Sequence, residues 1–275
     1  MCSALLGNSS QKVANSLFLL MTRTVRYLLV DISNSFTKLA FATPQRIGRT
    51  AKVSTRELTA RHLRRLIGRR RVDVVVGCSV VPKKNRVVKV AAKRTKVIWL
   101  NPKLRLGVGI DYPSPKTIGA DRLANAAAVA SLYGCPAIVV DFGTAVTFDI
   151  VSEKRNYIGG VIAPGLEAMT NFLYQRTALL PKITLQEPRR AIGRSTIEAM
   201  RSGAIFGYRG LVREIITQIK SQRFGGRRVH VVATGGYADL IARRVSSIDC
   251  VYPNLTLEGL RIVANLNGLD REPTR

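Results

Sequence analysis

Two observations predict an α/β chain built from two similar halves. Segments rich in β-branched residues alternate with helical stretches along most of the 275 residues, the pattern of sheets flanked by helices. One device also occurs twice: a buried strand ending in an aspartate, a small polar turn and a returning strand, first around Asp31 and again around Asp141. Composition permits such a fold, because 46% hydrophobic and 22% charged residues suffice for a sizeable core and argue against a disordered chain. No apolar run approaches the ~18 residues that cross a bilayer, so no membrane partner is expected.

Residues 1–24 mix Ser, Asn, Gln and Leu without a sustained period and read as a disordered N-terminal extension. The apolar stretch near its end lacks a cleavage site of the A-x-A kind, which argues against a secretory signal, and Met21 is an equally good start. A β-favouring segment, 25–30, ends in Asp31; the turn Ser33-Asn34-Ser35 follows, and residues 38–42 return. A basic stretch over 55–69 reads as helix, 72–78 as strand, the segment after Pro82 as helix and 97–100 as strand. Residues 101–116 hold Pro102, Pro113, Pro115, Gly107 and Gly109 and read as an irregular loop. The alanine-rich run 119–133 is the helix that joins the halves, giving a first domain over 25–118 and a second over 119–275. In the second, residues 137–140 lead to Asp141, Gly143-Thr144 turn, and 146–151 return. A strand over 157–163, a break at Pro164-Gly165, helices to about 175 and over 196–220, a strand over 229–233, the turn Thr234-Gly235-Gly236 and a closing helix over 255–265 complete the chain.

Charge and cysteines narrow the classes further. Lys and Arg number 44 against 17 Asp and Glu, a formal +27, which would attract any polyanion. The basic doublets are spread along the whole chain with few aromatics between them, which favours a generally basic solvated surface over a nucleic-acid face. Cys2, Cys78, Cys135 and Cys250 are widely spaced and His62 and His230 are the only histidines, so neither a disulfide framework nor a zinc cluster is expected, and a cytoplasmic setting fits best.

Two acid-bearing hairpins facing each other make physical sense as a nucleotide clamp. Small turn residues let backbone N–H groups approach phosphate oxygens, hydroxyls add donors, and an aspartate in each turn can hold a cation directly or through water. Asp31, Asn34, Ser35 and Lys38 supply this chemistry in the first turn, and Asp141, Gly143, Thr144 and Thr147 in the second. Gly235 and Gly236 would let a flat ring or ribose lie against the backbone. In Gly119-Ala120-Asp121-Arg122 the carboxylate lies beside the positive end of a helix dipole, suited to a base acting on a hydroxyl, and Arg122 could hold an anionic substrate. Taken singly, each feature is also explained by strand termination or helix capping.

In this order the elements resemble the type III pantothenate kinases, a branch of the actin-like and sugar-kinase ATPase superfamily, over roughly 25–265. Asp31-Ile32-Ser33-Asn34-Ser35 with Lys38 is similar to the family's D-x-G-N-T motif, and Asp141-Phe142-Gly143-Thr144-Ala145 to its D-x-G-T-A motif. Gly119-Ala120-Asp121-Arg122 matches G-x-D-R, and Gly159-Gly160-Val161-Ile162-Ala163-Pro164-Gly165 matches G-G-x-I-x-P-G. The resemblance implies a duplicated actin-like (ribonuclease H-like) α/β fold around a nucleotide cleft, and transfer of the ATP γ-phosphoryl group to the terminal hydroxyl of pantothenate. It implies Asp121 as the general base; Asp31, Ile32, Ser33, Asn34, Ser35, Phe36, Thr37, Lys38, Thr144, Gly235 and Gly236 toward ATP; and Tyr112, Gly119, Ala120, Asp121, Arg122 and Thr196 toward pantothenate. It further implies Asp141 toward a monovalent cation, K+ or NH4+, with Mg2+ also used, and a homodimer with pantothenate near the subunit interface.

This sequence departs from the family at Ser33, which replaces a glycine, and at Ser35, which replaces a threonine but keeps a hydroxyl. If Ser33 needed a positive φ, the strain would be ~1 kcal/mol or more and ATP affinity would suffer. Two other readings stand beside the kinase: a degenerate relative that binds nucleic acid, suggested by the charge, and a kinase for another small hydroxylated acid.

Overall fold

The computed structural model describes residues 25–269; the expected extension over 1–24 lies outside them. Its first sheet has strand order β3-β2-β1-β4-β5 and its second β11-β10-β7-β8-β9-β6. The first is built from β1 (Tyr27–Ile32), β2 (Phe36–Ala42), β3 (Ile47–Ser54), β4 (Val74–Ser79) and β5 (Lys96–Trp99), with α1 (Ala60–Ile67) and α2 (Pro82–Ala92) between strands. After β6 (Gly109–Ile110) and helix α3 (Ala120–Leu132) come β7 (Ala137–Phe142), β8 (Ala145–Val151) and β9 (Asn156–Pro164). Helices α4 (Leu166–Arg176) and α5 (Thr196–Phe224), strand β10 (His230–Gly235), the short α6 (Ala238–Ile241), β11 (Cys250–Val251) and α7 (Leu255–Leu266) follow.

The second sheet repeats the first. Strands β7, β8, β9, β10 and β11 take the places of β1 to β5, and β6 adds at the β9 edge. Each half opens with an antiparallel hairpin, β1–β2 and β7–β8, whose central strand then pairs in parallel with a later one, β4 or β10. The duplication read from the two acidic turns is therefore a duplication of topology.

One core cluster lies between the sheets and holds Tyr27 and Leu29 from one and Val139 and Val232 from the other, with Leu123, Ala124, Ala127, Leu257 and Leu260 of α3 and α7 between them. Alanines on α3 and a glycine on α7 let the two helices approach closely: a Cβ on Gly259 would run into the backbone of Ala124. Smaller clusters fill the outer faces of the two sheets.

Most expected elements form within a residue or two of their places. The helix expected over 55–69 is shorter: Thr55 buries its hydroxyl against Thr37 at 3.0 Å and donates to the Ser33 carbonyl at 2.7 Å, so α1 starts only after Thr59, whose side chain accepts from His62 N. Thr234, expected in a turn, is fully buried within β10. Strand β3 was missing from the sequence reading; it is an edge strand with no fully buried residue, so it lacks the apolar alternation that marks a strand. The loop over 101–116 contributes β6 and a single 3-10 turn at Pro115–Thr117.

Gly259→Ala is expected to cost about 1–3 kcal/mol, the range for overpacking a filled core. Gly203→Ala on α5, where an added Cβ meets nothing within 4 Å, should instead stabilise by about 0.5–1 kcal/mol. Urea unfolding of the two variants checks the pair.

Candidate active site

The central strands β1 and β7 each deliver an aspartate one residue before their ends. In register, Asp31 stands opposite Lys38 and Asp141 opposite Thr147. The turns that follow meet at their tips, where the Ser35 and Thr144 hydroxyls are 2.8 Å apart. Below them lies a cavity of about 350 Å³ with Asp31, Ser35 and Lys38 on one wall and Asp141, Thr144 and Gly235 on the other. A larger cavity of about 590 Å³ lies between α1 and the β2–β3 hairpin, but its walls are largely apolar, with Leu39, Phe41 and Leu63 among them, and it holds no carboxylate.

Electrostatics tie the acidic residues into one group. Burial pushes the Asp31 carboxyl up to about 7; the charges of Asp121 and Asp141 push the same way, and Lys38 opposes them. Asp121 is raised by burial and then by Asp141, against the backbone N–H of Arg122, which donates to its Oδ1 at 2.9 Å. Asp141 is raised by burial, with Lys38 and a hydrogen bond from Asn125 opposing. These carboxylates lie close enough to sense one another. Cys78 at the floor of the site is raised by burial and by Asp31, and its Sγ donates to Asp31 Oδ1 at 3.5 Å.

The sandwiched helices fix this arrangement. Thr256 of α7 donates to Asn125 Oδ1 at 2.9 Å, and Asn125 of α3 donates through Nδ2 to Asp141 Oδ2 at 3.1 Å. Lys38 reaches across to the Pro253 carbonyl at 3.2 Å, just before α7. Gly235, at φ +97°, brings β10 against Asp141 and Phe142 so closely that a Cβ would lie 2.6 Å from Asp141 Oδ1. Glycine at 165 likewise lets the Pro164-Gly165 break pack directly on the carbonyl of Gly143, 2.7 Å from where a Cβ would stand.

Ser33 carries no left-handed strain. Among the described residues, the positive-φ positions other than glycine are Lys93 and Arg155. The Ser33 amide instead donates to the Phe36 carbonyl at 3.1 Å, closing the turn, and its hydroxyl donates to Asp31 Oδ1 at 3.3 Å. The conformational penalty anticipated for this departure is absent.

A second group adjoins the first through Asp121. Gly119 is the N-cap of α3, with Ala120 and Asp121 in its first turn. The Arg122 Nε donates to the buried Asp149 Oδ1 at 2.6 Å, and its guanidinium lies 5.7 Å from the centre of the Tyr157 ring. Tyr157 packs edge-on to Tyr112 at 6.1 Å between centroids. Burial holds the Asp149 carboxyl up at about 7 against the pull of Arg122.

Not every residue singled out in the sequence faces the cleft. Ile32 is buried in the core cluster under β1 and β2, and Thr37 turns inward to Thr55. Phe36 does line the cavity, while Asn34 is exposed at the turn tip. Thr196 is exposed at the start of α5 and does not line the cavity. The sequence reading did not single out Lys52, Glu167 and Tyr237, which line the cavity, or Asn125 and Asp149, which hold Asp141 and Arg122. Asp149 follows Thr147 by two on a strand and shares its face, a signal that was available. Lys52 stands opposite Lys38 only through the pairing of β2 with β3, the strand the sequence concealed.

A sequence model of the family described as type III pantothenate kinase matches residues 27–218. A type III pantothenate kinase of Akkermansia muciniphila is 51% identical over 88% of this chain and 99% of its own. One from Methylacidiphilum infernorum is 41% identical over 87% of this chain and 88% of its own. Among solved structures, a Campylobacter jejuni protein described as a Baf-family transcriptional activator superposes with TM-score 0.55 at 19% identity, covering 88% of this chain and 99% of that one. That last likeness speaks to fold alone, the duplicated actin-like α/β fold. Over the span that holds both acidic turns, Asp121 and Asp149, the sequence matches carry the conclusion: the chain belongs to the type III pantothenate kinase family.

Proposed function

We propose that this protein transfers the γ-phosphoryl group of ATP to the 4′-hydroxyl of pantothenate, giving 4′-phosphopantothenate, the first step of coenzyme A synthesis. The observation that carries the reading is the convergence of Asp31, Asp121 and Asp141, coupled through their charges, beside two facing turns rich in hydroxyl and small residues. The triphosphate lies between those turns, where Ser33, Ser35, Gly143 and Thr144 offer hydroxyl and backbone donors and Lys38 offers charge. Gly236, where an added Cβ would meet only Lys52 Nζ at 3.9 Å, leaves the backbone bare for the nucleoside beside Gly235. Asp121 orients the attacking hydroxyl. As the new O–P bond forms and the bond to ADP breaks, the hydroxyl proton passes to its carboxylate.

The acidic surroundings fit bound cations. No group of three or more His, Cys, Asp or Glu among the described residues could hold a metal unaided, whereas Mg2+ with few carboxylate ligands takes the rest of its shell from phosphates and water. We assign Asp141 to a monovalent cation, K+ or NH4+, and Mg2+ to the nucleotide phosphates. When bound, these cations neutralise charge on the transferring group.

A homodimer is supported by exposed apolar side chains on β9 and on α4, where Ile162 and Phe172 are 63% and 60% exposed and Leu173 and Tyr174 are exposed as well. Gly160, which abuts Arg122, and Ile162 share one face of β9, so the proposed pantothenate region borders exposed Ile162. Exposed Ile192 and Ile197 flank Thr196, which gives that threonine a role at the interface rather than in the cleft of its own chain. A cytoplasmic location suits this chemistry and the free thiols of Cys78, Cys135 and Cys250. No helix among the described residues is long and apolar enough to cross a membrane.

Asp121→Asn should lower kcat by about 10²–10⁴-fold, the usual contribution of a positioned base, with ATP binding by calorimetry little changed; equal loss of both would make Asp121 a structural acid. Because burial pushes the folded Asp31 carboxyl up to about 7 from its ordinary value of 3.8, folding takes up protons between those values and the stability contributed by this group falls as pH rises through that window. Asp31→Asn should therefore gain melting temperature relative to wild type between pH 5 and pH 8, and KCl with MgATP should shrink the gain. A gap independent of pH and salt would refute the assignment. Light scattering should report a dimer that Phe172→Glu with Ile162→Glu dissociates; a monomeric wild type would overturn the interface.

A further inference from the structure

Among the described residues, the acidic partner of Arg122 is Asp149, not its sequence neighbour Asp121. Asp149 is fully buried. Its Oδ1 accepts from Arg122 Nε at 2.6 Å and from the Tyr157 hydroxyl at 3.3 Å, while the Thr147 hydroxyl lies 3.5 Å from Oδ2. On a further side, a Cβ on Gly160 would collide with Arg122 Nη2. The guanidinium is thus held by a carboxylate, an aromatic face and bare backbone. Its Nη2 remains buried with no hydrogen-bond partner among the described residues.

A buried N–H of a charged group without an acceptor is costly, and the cost is relieved by an anion that completes the fork. Two carboxylates compete here for one arginine. If Arg122 paired with Asp121, it would neutralise the proposed base and turn its fork away from the substrate. We infer that Asp149, supported by Tyr157 and Gly160, is the positioning residue that keeps Arg122 off Asp121 and presents its free Nη2 to the carboxylate of pantothenate. This rests on the kinase reading and adds to it the means by which the acid end of the substrate is distinguished.

The test compares pantothenate with pantothenol, which keeps the reacting hydroxyl and replaces the carboxylate with an alcohol. In wild type, kcat/KM should favour pantothenate. In Asp149→Asn the ratio of the two kcat/KM values should fall about ten-fold, the worth of a charge-assisted hydrogen bond. Tyr157→Phe, which changes little but the hydroxyl, should move it the same way by a smaller factor. Adding Asp149→Asn to Arg122→Ala should change the ratio no further, since one residue acts through the other. A proportional loss on both substrates, or effects that multiply, would make Asp149 a structural residue and overturn the inference while leaving the kinase intact. A wild type that phosphorylates both equally well would do the same. A wild type that phosphorylates neither would overturn the kinase reading and this inference with it.

Discussion

Asp31, Asp121, Asp141 and Asp149 are brought together where the two sheets meet, and the cations that face them are Lys38 and Arg122. Burying carboxylates without full compensation opposes folding, because each ionised group loses its hydration. The raised pKa values express that cost. On the kinase reading proposed above, cations and the nucleotide that brings them would offset this deficit of positive charge. The same protein is strongly basic overall, at a formal +27, so on that reading the long-range field would draw an anion in and the acidic floor would favour one that arrives with its metal.

The scaffold that tolerates this arrangement is the duplicated sheet. Two copies of a strand-turn-strand unit place their aspartates at equivalent ends of β1 and β7, and α3 and α7 pack between the sheets and bind the copies together. The relay from Thr256 through Asn125 to Asp141 joins both helices to the second acidic turn. Closeness of the helices at Gly259 therefore bears on the position of the carboxylate as well as on the stability of the core. Buried helix packing thus holds the Asp141 carboxylate in place.

Much of this was legible in the residues. The repeated acidic turn announced the duplication, and Asp31, Lys38, Asp141, Thr144 and Gly235 all reach one cavity. Concealed elements have a common cause: β3 and β11 lie at sheet edges, and β3 carries basic residues that read as loop. Lys52 was hidden with β3. Ile32 and Thr37 fall within the first motif but turn inward, since alternate residues of a strand face opposite sides and a contiguous run cannot all line a cleft. The fear for Ser33 was misplaced for a local reason: the turn closes by a Ser33-to-Phe36 hydrogen bond without a left-handed residue, and the added hydroxyl reaches Asp31.

The central claim is that the buried Asp31 carboxyl is held partly protonated until cations and nucleotide arrive, and its most direct test is proton release on binding. Titrating the protein with MgATP and KCl in buffers of different ionisation enthalpy, from pH 6 to pH 9, measures that release by calorimetry. With Asp31 titrating near 7, the account predicts that binding lowers its pKa and expels a proton near pH 6.5, with the effect fading toward pH 9 and missing in Asp31→Asn. Binding with no net proton release at any pH, or a release unchanged in Asp31→Asn, would contradict it.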